Sequence, residues 1–340
     1  MKQLSIILSL LLFLALIGCD LTDSKTSAEA QDESAVVQLL NESDYIYTEV
    51  DDGDESTYDV DDPNWDNSME KATADSTWKR AIFGRKITHR ERNIEVVLTS
   101  DSTATAYVHW RFEGEFISLT GELAGDSVSR NRFTKRLLHN ENRIVNLVKI
   151  NRRFMADSAV YRHRGWKIES ISLGDGLSEP NSINIVELAY QVEGEDRVVI
   201  TDPLQFFFDR DNFFILPRNT MVRVQVKVDN QSPNKLEYPM GSGSYENVRL
   251  HYGRNRMGHH GKSGFSYDGQ DENGYQVYSG AWRVAQFIGK HHAIVDVIDN
   301  GTIFNPDSSA YYNSATWGTP YVVGIPRGNL GFAERRAQGR

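Results

Sequence analysis

Apolar and polar positions alternate in four different ways along this chain. Leu4 to Ile17 is an apolar block broken only by Ser5 and Ser9. It matches the core of an export signal and is short of the ~20 residues that span a bilayer. Thr22 to Glu33, TDSKTSAEAQDE, has almost no large apolar side chain, so it predicts a flexible tether of about 20 Å mean reach. From Ala35 the run AVVQLLNE has helical spacing, and MEKATADSTWKRAIF at 69–83 predicts a second helix.

The fourth pattern is strand-like and covers most of the chain. IEVVLTS (94–100), ATAYVHWRF (104–112), EFISLTGEL (115–123), RFTKRLL (132–138), RIVNLVKINRRF (143–154) and GWKIESISL (165–173) are rich in β-formers and mostly alternate. In the second of these, Ala106, Val108, Trp110 and Phe112 share one face while Tyr107, His109, Arg111 and Glu113 share the other. GDGLSEPNS at 174–182 reads as a junction. Beyond it come NIVELAYQV (184–192), DRVVIT (196–201), MVRVQVKVDN (221–230), ENVRLHYG (246–253), GYQVYSGAWRV (274–284), HHAIVDVID (291–299) and YVVGI (321–325). The strict alternation of Val222, Val224, Val226 and Val228 with polar residues predicts a half-buried antiparallel strand. Short strands separated by turn signals suggest a sandwich.

At 39% hydrophobic and 25% charged, the composition is that of a globular protein with enough length for two cores. The net charge of -10 argues against nucleic acid as a partner and against a purely electrostatic membrane attachment. That charge is uneven. The segment 49–67, EVDDGDESTYDVDDPNWDN, is densely acidic, whereas Lys79 to Lys167 carries a basic excess. The acidic run reads as a solvated loop or spacer.

The single cysteine, Cys19, follows the apolar block directly in LALIGCD. Leu16, Ile17, Gly18 and Cys19 resemble the lipobox of bacterial lipoproteins. The resemblance implies a signal peptide at 1–18, cleavage between Gly18 and Cys19, and lipidation of the Cys19 thiol. Two or more acyl chains, each methylene contributing roughly 0.8 kcal/mol, would hold a soluble domain on a membrane. A plain secretory signal with an incidental cysteine is the alternative. The absence of other cysteines suits an oxidising compartment. The expected place is the bacterial cell envelope, facing periplasm or exterior.

Two further resemblances concern the fold. Helices followed by long strands and closed by Trp166, Lys167 and Ile168 make residues 34–175 similar to the nuclear-transport-factor-2-like or cystatin-like cone. That likeness implies a conical pocket, with no fixed catalytic motif. The stretch DENGYQVYSGAWRVAQFIGKHHAIVDVIDNGTI resembles bacterial immunoglobulin-like domains and extends the likeness over 183–325. There is no intersheet disulfide, so Trp282 and the valine faces must supply that core. The expected fold class is therefore an α+β cone-like domain (34–175) after a lipidated tether (19–33), then an all-β Ig-like sandwich and a tail at 326–340. The whole is mostly β.

Candidate chemistry is sparse. GRNRMGHHGKSG (253–264) ends like a phosphate loop, but Arg256 stands where its first glycine must be. His259, His260, His291 and His292 form two adjacent pairs; neighbours on a strand point to opposite faces, so at most one of each pair could face a shared metal ion. Against an EF-hand, YDGQDENGYQVY puts Gly269 and Gly280 where an Asp and a Glu are required, leaving Asp268, Asp271 and Asn273 for a simple turn site. Asp209 and Asp211 in FFFDRDNFF read as a solvated turn, and no G-x-S-x-G elbow occurs. If the cone likeness holds, His109, Trp110, Arg111 and Trp166 lie near its concavity, with His89 and Arg90 entering from the preceding element.

These patterns predict no cofactor and no catalysis. They favour a non-catalytic binding or assembly module, attached to membrane through its lipid and meeting an envelope protein partner. An enzyme or small-ligand carrier using a pocket in 34–175 stays open, as does surface adhesion through the Ig-like part.

Overall fold

The computed structural model describes residues 26–46, 79–124, 127–150, 158–209, 214–233, 235–254, 261–307 and 310–324. The Gly18–Cys19 signal site, the acidic segment 49–67, His259, His260, Asp211 and the tail 326–340 lie outside them. The described chain is mostly β. Among the described residues no helix is long and apolar enough to cross a membrane.

Helix α1 spans Ser27–Glu42 and so begins eight residues before the amphipathic run at Ala35, inside the stretch expected to be tether. The reason is a capping box: the Thr26 hydroxyl accepts from the Glu29 N–H at 3.3 Å, and the Glu29 carboxylate accepts from the Thr26 N–H at 2.7 Å. Val36 and Leu40 are fully buried beneath it.

Three long antiparallel strands follow, β1 (Lys79–Leu98), β2 (Thr103–Ala124) and β3 (Ser127–Lys149). Lys79 to Phe83, expected at the end of a second helix, is strand instead, because its alternate residues pair along β2. The runs 104–112 and 115–123 are one continuous strand, as are 132–138 and 143–149. Gly114 carries the first of these joins. A Cβ there would stand 2.0 Å from the Lys86 carbonyl oxygen, beside the bulge between Ile87 and His89. A short helical turn, Ser158–Gly165, then leads into β4 (Trp166–Ser172) and β5 (Gly174–Ser178). The expected junction at 174–182 thus begins as a strand, and it is a structural link: β5 pairs with β3 on one side and with the last strand on the other.

The remaining strands are β6 (Ile183–Val192), β7 (Val198–Ile200), β8 (Phe207–Asp209), β9 (Ile215–Leu216), β10 (Met221–Asn230), β11 (Glu246–Arg254), β12 (Gly261–Gly264), β13 (Ser266–Gln270), β14 (Gln276–Arg283), β15 (Gly289–Asp299) and β16 (Ser314–Val323). A five-residue helix, α2 (Asn300–Phe304), follows β15. One sheet runs β1-β2-β3-β5-β16-β15-β11-β12, with β4, β8 and β9 attached at its flanks; the other runs β13-β14-β10-β6-β7. The last strand, β16, therefore sits at the middle of the larger sheet.

The two sheets form a β-sandwich. Val222, Val224, Val226 and Val228 are all 2% exposed or less, as the alternation in β10 requires. Trp282 packs against Tyr190 edge-on at 6.0 Å and against Tyr321 at 6.1 Å, and the Tyr190 and Thr319 hydroxyls meet at 2.8 Å. Ala106, Val145 and Trp166 from the first half belong to the same continuous core as Val224 and Val295. The two stretches expected as separate domains share a sheet and a core.

The larger sheet curls. In a flat sheet the five steps from β1 to β15, at about 4.8 Å each, would separate these strands by about 24 Å. Instead, both Arg85 Nη atoms lie 2.7 Å from the Asp296 carboxylate oxygens. The outer parts of β1 and β2 bend back over β15 and α2, where Phe83, Phe112, Phe116, Ile298 and Ile303 form a second apolar cluster. Between the two apolar regions the inner face is polar: Lys135, His139, Glu141 and Arg143 of β3 are each 2% exposed or less.

Candidate functional site

The described chain has three kinds of polar concentration: the inner face of the curled sheet, a cleft at one edge of the sandwich, and a basic pocket beside α1. Arg85, His251 and Asp296 surround a hollow of about 10 Å³ on the inner face, room for a water at most. His251 Nε2 stands 3.5 Å from Asp296 Oδ2. This network joins strands, and its hollow is too small for a ligand.

The cleft, about 410 Å³, opens where the chain crosses between sheets. β11 and β12 form one wall, β13 and β14 the other, and the loop 238–244 and Asn300 close the end. Strand β12 ends at Gly264, Phe265 hydrogen-bonds to the Val248 carbonyl at 3.0 Å, and the chain continues as β13 in the other sheet. Gly280 makes room for this crossing, because a Cβ there would stand 3.1 Å from the Phe265 ring.

At the cleft floor is Glu246. Along β11, Glu246, Val248 and Leu250 share the core-facing stripe, so alternation buries a carboxylate where its neighbours are apolar. One Glu246 oxygen accepts from the Tyr278 hydroxyl and the other from Asn230 Nδ2 at 2.7 Å. The same Asn230 nitrogen lies 3.3 Å from Asp299 Oδ1, so one amide bridges two buried carboxylates. Burial pushes both acids up from the ordinary carboxylate range; their hydrogen bonds oppose this, and the Asp299 charge adds to the rise at Glu246. Burial, then the Glu246 charge, lifts the Tyr278 phenol well above its usual value. The Ser244 hydroxyl lies 3.0 Å from the Tyr278 oxygen and 3.2 Å from the Glu246 backbone carbonyl, to which it donates, so the chain of bonds returns to β11.

Above this floor the walls include the half-buried rings of Tyr238, Phe265 and Tyr267. The Tyr267 ring lies 5.3 Å from the buried Tyr278 ring, and Tyr238 meets Phe304, which is buried and outside the cleft lining, at 4.2 Å with the rings tilted by 33°. Gly243 in the loop takes a left-handed φ of 77°, and a Cβ on it would approach Tyr267 Cε1 at 3.2 Å. Asn247, Arg249 and Lys262 add polar heads around the rim. The result is an aromatic slot with fixed hydrogen-bonding groups beneath it. Both Glu246 oxygens already hold donors, so this carboxylate orders the floor of the cleft and fixes the Tyr278 ring above it.

The residues singled out from sequence lie elsewhere. His109 Nδ1 is 2.9 Å from Asn142 Oδ1, and Arg111 pairs with Glu113 at 3.1 Å and Glu179 at 3.6 Å, both on the outer face of β2. Trp110 is on the opposite face, stacked on Phe112 at 6.0 Å with the Arg92 guanidinium 4.9 Å above it. Trp166 is 2% exposed, with Lys149 Nζ 5.4 Å over its ring. None of the four lines the cleft. His291 and His292 are both 2% exposed: the His291 ring nitrogens stand 3.1 Å and 3.0 Å from the Gly253 and Phe287 carbonyl oxygens, and His292 Nε2 stands 3.3 Å from that of Asp44. Asp271 caps its own turn through the Asn273 and Tyr275 N–H groups, and the Ser279 hydroxyl donates to Asp268. Among the described residues no three of His, Cys, Asp and Glu gather as a metal site.

Sequence reasoning missed Glu246, Tyr278 and Asn230. A signal for Glu246 existed, since it stands in register with Val248 and Leu250 in ENVRL. Nothing local to Asn230 announces that its amide joins two carboxylates brought from β11 and β15. No protein-family model, no curated protein and no solved structure matches the chain.

Proposed function

We propose that this chain is a lipid-anchored, extracytoplasmic envelope protein acting as a non-catalytic binding module, and that the cleft over Glu246 is its ligand site. The ligand is neutral and rich in hydroxyls, as an oligosaccharide is. The observation that carries this reading is the pairing of aromatic walls, Tyr267 above all, with a buried Tyr278–Glu246–Asn230 network. Aromatic faces suit the C–H faces of a sugar ring, and orienting acceptors suit its hydroxyls. The finer plan is an α+β cone-like part (34–175) followed by an Ig-like sandwich (183–325), a reading that rests on element order alone, the two parts being joined through one sheet and one core.

The test uses the chain from Asp20 onward, titrated with a panel of neutral oligosaccharides and followed by calorimetry. Saturable binding that weakens about tenfold in Tyr267→Ala, a loss of about 1.4 kcal/mol, supports the reading. Binding indifferent to Tyr267→Ala and Asn247→Ala, or no binding to any member, overturns it. The anchor is tested apart from the cleft: labelled fatty acid that still enters a Cys19→Ser variant removes the lipid from the proposal.

A further inference from the structure

A second pocket, about 450 Å³, opens between the C-terminal end of α1, the turn Ser158–Gly165, β4 and the start of β15. Its wall carries Glu42, Tyr45, Arg162, His163, Lys167 and Lys290. Three fixed cations face one carboxylate in a chain whose net charge is -10. Glu42 is already engaged, 2.7 Å from Arg162 Nη2 and 3.0 Å from His163 Nε2. Lys290 Nζ sits 3.8 Å over the Tyr45 ring, and Lys167 has no ion-pair partner among the described residues.

The pocket is built at a conformational cost. His163 and Arg164 both adopt the left-handed region, at φ 54° and 55°, and Gly165 follows at φ 87°. Arg164 holds this turn down, with Nε 2.6 Å from Asp32 and Nη1 2.7 Å from Gln31, while Lys149 grips the same Asp32 at 2.6 Å. The turn delivers Arg162 and His163 to the pocket wall and sends Arg164 to α1. The His163 side chain is 7% exposed, and its Nδ1 is buried without a hydrogen-bond partner. A locked turn that brings Arg162 to the same wall as Lys167 and Lys290 concentrates cations, which is what an anion site uses.

We infer that this pocket binds a phosphate group through Lys167, Lys290 and Arg162. It shares no residue with the cleft over Glu246, so the two readings stand or fall separately. Phosphate reaches such a pocket from a free phosphorylated solute or from a lipid headgroup. Phe287 and Ile288 just before Lys290 are 59% and 64% exposed, which suits the second source.

Two probes serve: inorganic phosphate, followed by calorimetry, and vesicles of phosphatidylcholine with or without phosphatidylglycerol, followed by sedimentation. Both use the chain from Asp20 onward, purified without phosphate. The expected result is saturable binding of at least one probe, weakened about tenfold in Lys167→Gln and in Lys290→Gln and largely kept in Lys290→Arg. Lys262→Gln, in the other cleft, leaves it unchanged. Phosphate binding without vesicle selectivity identifies a free solute. Selectivity for phosphatidylglycerol that also falls in Phe287→Ser/Ile288→Ser identifies the headgroup. Failure of both probes, or binding that survives Lys167→Gln/Lys290→Gln, overturns the inference. A far-ultraviolet melt of each variant confirms that it is folded.

Discussion

Arg85 and Asp296, 211 residues apart, hold each other through two 2.7 Å hydrogen bonds across the hollow of the curled sheet. Each side chain is 4% exposed or less. Arg85 Nε also donates to the Tyr312 hydroxyl, which receives the Ser314 hydroxyl at 2.6 Å. Breaking such a pair from one side strands a charge in the interior. Asp296→Asn should therefore lower stability by about 3–5 kcal/mol, whereas Asp296→Leu/Arg85→Met should recover most of that loss. Urea unfolding followed by circular dichroism checks both; equal losses in the single and double variants would show that the stranded Arg85 charge is not what the single change costs.

The buried acids oppose one another in their response to pH. Burial alone would raise Asp296, but the Arg85 guanidinium, with His251, holds it far below the usual carboxylate range. Its contribution is present above the unfolded value near 4 and is lost as pH falls below it. Glu246 and Asp299 are raised, so the native state binds the extra protons and their effect runs the other way: stability is full below about 4 and declines as pH rises through their raised values. Relative to the parent, Glu246→Gln should gain stability between about pH 4 and 7, and Asp296→Asn should lose less on acidification. Urea midpoints between about pH 4 and 7 decide the sign for Glu246, and midpoints taken below about pH 4 decide it for Asp296.

Gly176 is required by its neighbours rather than by its backbone. A Cβ there would stand 2.1 Å from Thr316 Oγ1 and 2.6 Å from His139 Nε2. Gly176→Ala should cost about 1–3 kcal/mol, and pairing it with Thr316→Ala should cost less than the sum of the single changes. A double-mutant cycle in urea measures this coupling; strict additivity would place the strain elsewhere.

Asn219 occupies the left-handed region at φ 61° in the turn before β10, and its carbonyl accepts from Arg283 Nη1 at 2.8 Å. Asn219→Ala should lose about 1–2 kcal/mol, while Asn219→Gly should be close to neutral. Thermal melts of the two variants separate backbone strain from loss of the side chain.

Much of the smaller sheet was legible because β6 and β10 each have a wetter face. Met221–Asn230 and Ile183–Val192 fall almost where alternation puts them. The first half hid its continuity. EGE at 113–115 looks like a break, yet Gly114 is the residue that lets β2 run past the bulge in β1. HNEN at 139–142 looks like a turn, yet His139 and Glu141 point into a polar hollow that exists only after the sheet has curled. β16 had little period to read, since Ser314 to Pro320 is buried on both faces. The start of α1 could have been read: Thr26 and Glu29 have the spacing of a capping box. The cleft could not, because its lining comes from β11, β12, β13, β14 and the loop 238–244, with Asn230 of β10 bonded to its floor.

β16 lies between β5 and β15, so the last strand of the described chain is the one both halves lean on. A polypeptide emerging from its amino end can pair β1, β2, β3 and β5, but β5 lacks its second partner until residue 323 is available. The larger sheet is completed only when distant segments meet, which slows folding. A chain cut before β16 would lose the strand that joins β5 to β15 and, with it, the core rings of Trp317 and Tyr321.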